Sequence, residues 1–148
     1  MPKIGQLRKQ FFPWTIDVDV FLSPKSNINF STLYVDARVI HCCMLMSSSA
    51  QNDEIAWDII IPAGTWTIEL LHHATNDRGL YSIQINGVEK GTISGYAASF
   101  TPNIKSTVTG IVIQTTAKIE LKIKMTQIAP GSYSFMGAIS GLQLKRTA

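Results

Sequence analysis

Charge is scarce in this chain. Asp, Glu, Lys and Arg make up 16% of its 148 residues, against about 25% in an average soluble domain, and a surface short of charge is suited to facing partners. The thirteen basic and ten acidic residues leave a net charge of +3. They are interleaved, with Lys118, Lys122 and Lys124 sharing one segment with Glu120, so no basic stripe marks a nucleic-acid partner. There are two cysteines, Cys42 and Cys43, side by side. Neighbours on a strand point to opposite faces, which excludes a bridge between them and joint chelation. Apolar residues nowhere recur at helical spacing, and no apolar run has the length of a signal peptide or a membrane span. The expectation is a protein made in the cytoplasm with no membrane partner. Nucleophile elbows, phosphate loops, dinucleotide fingerprints and Cys-x-x-Cys pairs are all missing, so no enzymatic activity and no cofactor are expected.

What is present is alternation with period two. In residues 79 to 96, Tyr81, Ile83 and Ile85 alternate with Ser82, Gln84 and Asn86. Asn86-Gly87 then supplies the two positive-φ residues of a type I′ turn, and Val88 starts the return strand. The same pattern predicts strands over about 15–21, 28–35, 37–46, 55–61, 65–73, 79–86, 88–94, 107–114, 117–126 and 134–145. That many short strands, separated by turns such as Pro62-Ala63-Gly64 and Pro130-Gly131, read as an all-β sandwich or barrel. At this length one domain can bury roughly 70% of its unfolded surface and needs no metal or disulfide.

Two inner faces follow from the phase: Ile16, Val18, Val20, Trp57, Ile59, Ile61, Trp66, Ile68, Leu70, Tyr81, Ile83, Ile85, Ile119, Leu121, Ile123 and Met125. Asp17, Asp19, Asp58, Thr67, Glu69, Ser82, Gln84, Lys122 and Lys124 then face water. Residues 107–114 break the pattern, with Ile111 and Ile113 on one face and Val108 and Val112 on the other, and Ile60 is out of phase with its neighbours. A strand apolar on both faces is covered on both, by another layer of the same domain or by another subunit, and Ile60, Ile111 and Ile113 are the candidate subunit contacts. Residues 1–14 carry Lys3, Ile4, Leu7, Arg8, Lys9, Phe11, Phe12 and Trp14 with no acid among them. They read as an extended basic and aromatic arm ahead of a domain at 15–148, long enough at full extension to span roughly 45 Å.

Three groupings invite chemistry. His41-Cys42-Cys43 and His72-His73 are zinc-ligand types, but they lack the two-residue spacers of structural sites, and no metal is expected. Asp17 and Asp19 are two residues apart on a strand, a solvated pair. Among the aromatics, Trp57, Trp66 and Tyr81 fall in phase with the core, whereas Tyr96 and Tyr133, beside glycines, are candidates for stacking on a sugar ring.

Residues 54–145 resemble a jelly-roll module common in tailed-bacteriophage structural proteins. The resemblance lies in Glu54-Ile55-Ala56-Trp57, Pro62-Ala63-Gly64-Thr65-Trp66-Thr67-Ile68, Asp77-Arg78-Gly79-Leu80-Tyr81, Asn86-Gly87-Val88, Gly91-Thr92-Ile93, Tyr96 and a final Gly141-Leu142-Gln143-Leu144. It implies a jelly-roll β-sandwich of two antiparallel sheets, assembled as a homotrimer in the virion. With a short arm in place of fibre repeats, the chain resembles a capsid cement (decoration) protein, whose arm, residues 1–14, would clamp neighbouring subunits of the major capsid protein. The alternative is a tail-fibre or baseplate tip that binds host surface carbohydrate through Tyr96, Tyr133 and the loops at 47–53 and 75–78.

Overall fold

A computed structural model of the chain describes residues 15–18, 20, 25–26, 30–34, 43–46, 50–132, 134–135 and 137–148. The arm at 1–14 lies outside them, as do Asp19, His41, Cys42, Tyr133 and loop residues 47–49. Eleven strands are formed among the described residues: β1 (Thr15–Val18), β2 (Lys25–Ser26), β3 (Phe30–Tyr34), β4 (Cys43–Met46), β5 (Glu54–Ile61), β6 (Gly64–Ala74), β7 (Gly79–Ile85), β8 (Val88–Ser94), β9 (Thr101–Ile113), β10 (Ala117–Ile128) and β11 (Gly137–Arg146). Every pairing between them is antiparallel.

One sheet runs β3-β4-β11-β6-β9, with β1 also paired to β11, and the other runs β2-β5-β10-β7-β8. β11 is long enough to hold two partners on one side, β4 against 137–139 and β1 against 142–145. The two inner faces meet in one core, with Trp66, Ile68, Leu70, Tyr81, Ile83, Leu121, Ile123 and Met125 fully buried. Each such side chain contributes about 1.5–3 kcal/mol of transfer free energy. All sixteen residues assigned inward by period two lie in this core or pack against it. Both core indoles are satisfied: Trp57 Nε1 donates to Val20 O at 3.3 Å and Trp66 Nε1 to Pro62 O at 3.0 Å.

The hairpin at 86–87 has the expected turn, with φ of 50° at Asn86 and 78° at Gly87. Asn86 also ties the turn to β10, its Oδ1 accepting from Glu120 N at 2.9 Å. Close sheet-edge packing sets the neighbouring glycine: a Cβ on Gly91 would stand 2.9 Å from both methyls of Val108.

Period two fails at bulges, and one of them corrects the interface assignment. On β6, Trp66 and Ile68 are separated by one residue, while their partners Ile111 and Val108 are separated by two. Thr109 and Gly110 form the bulge, Gly110 with a φ of 71°, as such bulges require. The bulge reverses the phase of β9, so Val108 and Ile111 both point inward and Ile111 is 2% exposed. Ile113 is half-buried and packs against the core. The outward residue of that segment is Val112, 59% exposed. Of the three residues assigned to a trimer interface, only Ile60, at 72% exposure, lies on the outer surface. Ser82 is also corrected: it faces outward on β7 but is fully buried, donating to Glu89 Oε2 at 2.5 Å and accepting from Gln84 Nε2 at 3.2 Å.

Candidate functional site

The two outer faces differ in what their polar groups are doing. On the β2-β5-β10-β7-β8 sheet the carboxylates of Glu54, Asp58 and Glu120 are engaged by lysines. Lys25 pairs with Asp58 and Glu120, Lys118 with Asp58, and Lys122 with Glu54 and Glu120, at 2.7 to 3.3 Å. Those three carboxylates are therefore already paired.

The other sheet carries a depression of ≈ 390 Å³ bordered by Asp17, Glu69, Leu71, Lys105, Gly141 and Gln143, within the size range of small-ligand sites. Strand pairing builds it. Asp17 on β1 is opposite Gln143 on β11, Gln143 is opposite Glu69 on β6, and Glu69 is opposite Thr107 on β9. Two residues along each strand, Gly141, Leu71 and Lys105 form the next row on the same face. A bulge creates the hollow: on β11 two steps, Ile139 to Gly141, match a single step on β6, His72 to Leu71. Ser140 is the extra residue, and its hydroxyl donates to Leu71 O at 3.4 Å. Gly141 therefore comes opposite Leu71 and brings no side chain, which leaves Leu71 as an apolar floor.

The walls are polar and ordered by one another. Gln143 Nε2 donates to Asp17 Oδ1 at 2.5 Å. Glu69 forms ion pairs with Lys145 at 2.8 Å and with Lys105 at 3.6 Å. The bond from Lys145, joined by the field of Lys105, holds the Glu69 carboxyl below the usual carboxylate range. Glu69 is thus an ionised acceptor, a poor general acid: a glycoside hydrolase needs one carboxyl raised so that it stays protonated. What the site can do is accept hydrogen bonds at carboxylates, exchange them at an amide, and offer an apolar floor.

The residues selected from sequence are distributed otherwise. Trp57, Trp66 and Tyr81 are core. Tyr96 is half-buried over the backbone of Gly131, where a Cβ would come within 2.9 Å of its ring. Arg78, in the 75–78 loop, is buried against Asp77. None of these borders the depression. His72 and His73 lie on opposite sides of β6 and share no site: His72 Nε2 is 2.9 Å from Ser106 Oγ, with the ring edge-on to Tyr81, whereas His73 stacks on Phe100 and accepts from Asn103 N at 3.1 Å. Among the described residues no group of three or more His, Cys, Asp or Glu is placed to hold a metal ion. No helix there is long and apolar enough to cross a membrane. Lys3, Ile4, Leu7, Arg8, Lys9, Phe11, Phe12 and Trp14 lie outside the described residues. Sequence reading took Asp17 and Glu69 as solvent-facing and named Gly141 and Gln143 only within the closing motif of the resemblance, giving none of the four a binding role. The signal that joins them is register across four strands, which no local pattern carries.

No sequence-family profile and no characterised protein sequence matches the chain. Solved structures do match its fold. The Paenibacillus xanthan lyase superposes on 82% of the chain with a TM-score of 0.67 at 14% identity, the match covering 12% of that enzyme's length. The CBM36-1 domain of a multidomain xylanase from the hindgut metagenome of Trinervitermes trinervoides matches 85% of the chain and 97% of its own length, with a TM-score of 0.54 at 13% identity. The C-terminal CBM6 of the Zobellia galactanivorans laminarinase LamC matches 90% and 99%, with a TM-score of 0.54 at 12% identity. At these identities the likeness establishes the fold: the chain is a jelly-roll β-sandwich of two antiparallel sheets.

Proposed function

We propose that this domain is a non-enzymatic carbohydrate-recognition module whose ligand lies in the depression across β1, β11, β6 and β9. The observation that carries the reading is the cross-strand row Asp17, Gln143 and Glu69 beside the Leu71 and Gly141 floor. Sugar hydroxyls donate and accept together, so carboxylates and an amide in fixed register suit them, while the apolar face of a ring rests on Leu71. Two of the structural neighbours that align over nearly their whole length are carbohydrate-binding modules, which supports the same reading. The resemblance to tailed-phage structural proteins supplies a setting, a tail-fibre or baseplate tip on host surface carbohydrate. The capsid-cement reading draws on residues 1–14, outside the described residues, whereas the depression that supports carbohydrate recognition lies on the described surface.

The test is retention of the purified chain on a panel of polysaccharides, by affinity electrophoresis and calorimetry. Asp17→Ala with Gln143→Ala is expected to weaken binding at least about tenfold, since hydrogen bonds to a charged group contribute about 1.5–3 kcal/mol. Gly141→Val fills the hollow and is expected to abolish binding with the fold intact, because the nearest atom to an added Cβ is Leu71 Cβ at 3.5 Å. Lys118→Ala, on the opposite sheet, is expected to change nothing. If no polysaccharide is retained by the wild-type chain, carbohydrate recognition is not its function.

A further inference from the structure

The row of polar groups has a direction and a charge balance, and together they narrow the ligand of the proposed carbohydrate site. Asp17, Gln143, Glu69 and Thr107 lie on four successive strands, which at about 4.8 Å per strand makes a track of about 14 Å perpendicular to the strands. One sugar ring occupies only part of that length. The track also runs from one sheet edge to the other, for β1 and β9 have no further strand partner among the described residues. A site of this form takes a chain that continues past both ends, whereas a pocket for a terminal sugar has a closed wall.

Among the described residues the charges bordering the track cancel: Asp17 and Glu69 against Lys105 and Lys145. Both lysines are turned onto Glu69, and Asp17, at the far end, is bonded to an amide and not to a cation. Ionised carboxylates accept hydrogen bonds and donate none, so the ligand groups above Asp17 and Glu69 must be donors. Hydroxyls meet that demand. A uronate or sulfate placed there would set acceptor against acceptor and like charge against like charge, and among the described residues both lysines at the track are already engaged by Glu69.

We infer that the ligand is an internal segment of an uncharged polysaccharide, lying across β1, β11, β6 and β9 and donating hydroxyl hydrogen bonds to Asp17 and Glu69. This rests on the carbohydrate reading above and adds the class of polymer and its orientation. The experiment compares neutral polymers (xylan, β-1,3-glucan, galactomannan) with acidic ones (alginate, polygalacturonate, xanthan) at low and high ionic strength, then a neutral monosaccharide with the corresponding trisaccharide. Expected are retention by a neutral polymer, an affinity that changes by less than about twofold with salt because no net charge is screened, and binding of the trisaccharide at least about tenfold tighter than the monosaccharide. Thr107→Ala, at the end of the track distant from Asp17, is expected to weaken the trisaccharide and leave the monosaccharide unchanged. Retention of acidic polymers alone, binding abolished by salt, or a monosaccharide bound as tightly as the trisaccharide would each overturn the inference while leaving carbohydrate recognition standing. Retention of no polymer in either class would overturn both.

Discussion

Gly87 and Gly95 exclude side chains for different reasons. Gly87 has a φ of 78° with nothing within 4 Å of an added Cβ, so Gly87→Val costs backbone strain alone, about 1–3 kcal/mol. A Cβ on Gly95 would stand 2.2 Å from the Tyr81 hydroxyl and 2.6 Å from Cζ, and that ring is fully buried among core side chains that do not yield. Gly95→Ala is therefore expected to destabilise by at least as much as overpacking commonly does, about 1–3 kcal/mol, through a methyl group alone. Urea titration of both variants checks the ranking. A Gly95→Ala protein as stable as wild type would mean that Tyr81 is free to move.

The bulge on β9 decides which residues of that strand belong to the core. Ile111→Lys would place an ammonium opposite Trp66, and unfolding of the variant at room temperature is the expected outcome. Val112→Lys is an outer-surface change, expected to shift stability by no more than about 0.5 kcal/mol. Circular dichroism of the pair reads the phase directly; the reverse ranking would place the bulge elsewhere. The same pairing logic bears on assembly. A homotrimer built on the outer surface has Ile60 as its remaining assigned contact, so Ile60→Lys is expected to dissociate it in sedimentation velocity. A monomeric wild-type chain removes the homotrimer expectation.

At the scale of the whole molecule, acid is expected to act through His72. Burial, with a smaller effect from neighbouring His73, lowers its pKa from 6.5 to about 4, in an interior that it shares with Tyr81 and Ser106. Between those values the unfolded chain binds a proton that the folded chain does not. Stability is therefore complete above about pH 6.5 and falls as pH drops towards 4, by a total of about 3 kcal/mol for that displacement. Asp58, held down first by its bond from Lys25, and Glu69, held down first by Lys145, add further loss only below the ordinary carboxylate range. Chemical denaturation at intervals from pH 7.5 to 4 should show the upper limb in wild type and its removal in His72→Leu. An unchanged limb in that variant would assign the titration to another group.

Much of the fold was legible because a period-two pattern is local physics: Ile16 to Val20, Trp57 to Ile61 and Ile119 to Met125 each show their buried side without reference to any other strand. The turn at Asn86-Gly87 was legible for the same reason, since positive φ is a property of the residues themselves. Ile111 was misplaced because an extra residue at Thr109-Gly110 is visible only as a mismatch with β6, and Ser140 hides in the same way opposite Leu71. The candidate site lay beyond the sequence altogether: Asp17, Glu69 and Gln143 are distant along the chain, and only antiparallel pairing through β11 sets them in one row. The sequence by itself determined the class of structure and most of the core, because burial of alternate side chains needs only the strand's own geometry. The tertiary structure decided which outer face carries the hollow and which polar residues line it, because register between strands is a long-range property set by the bulges and by the packing of the two sheets.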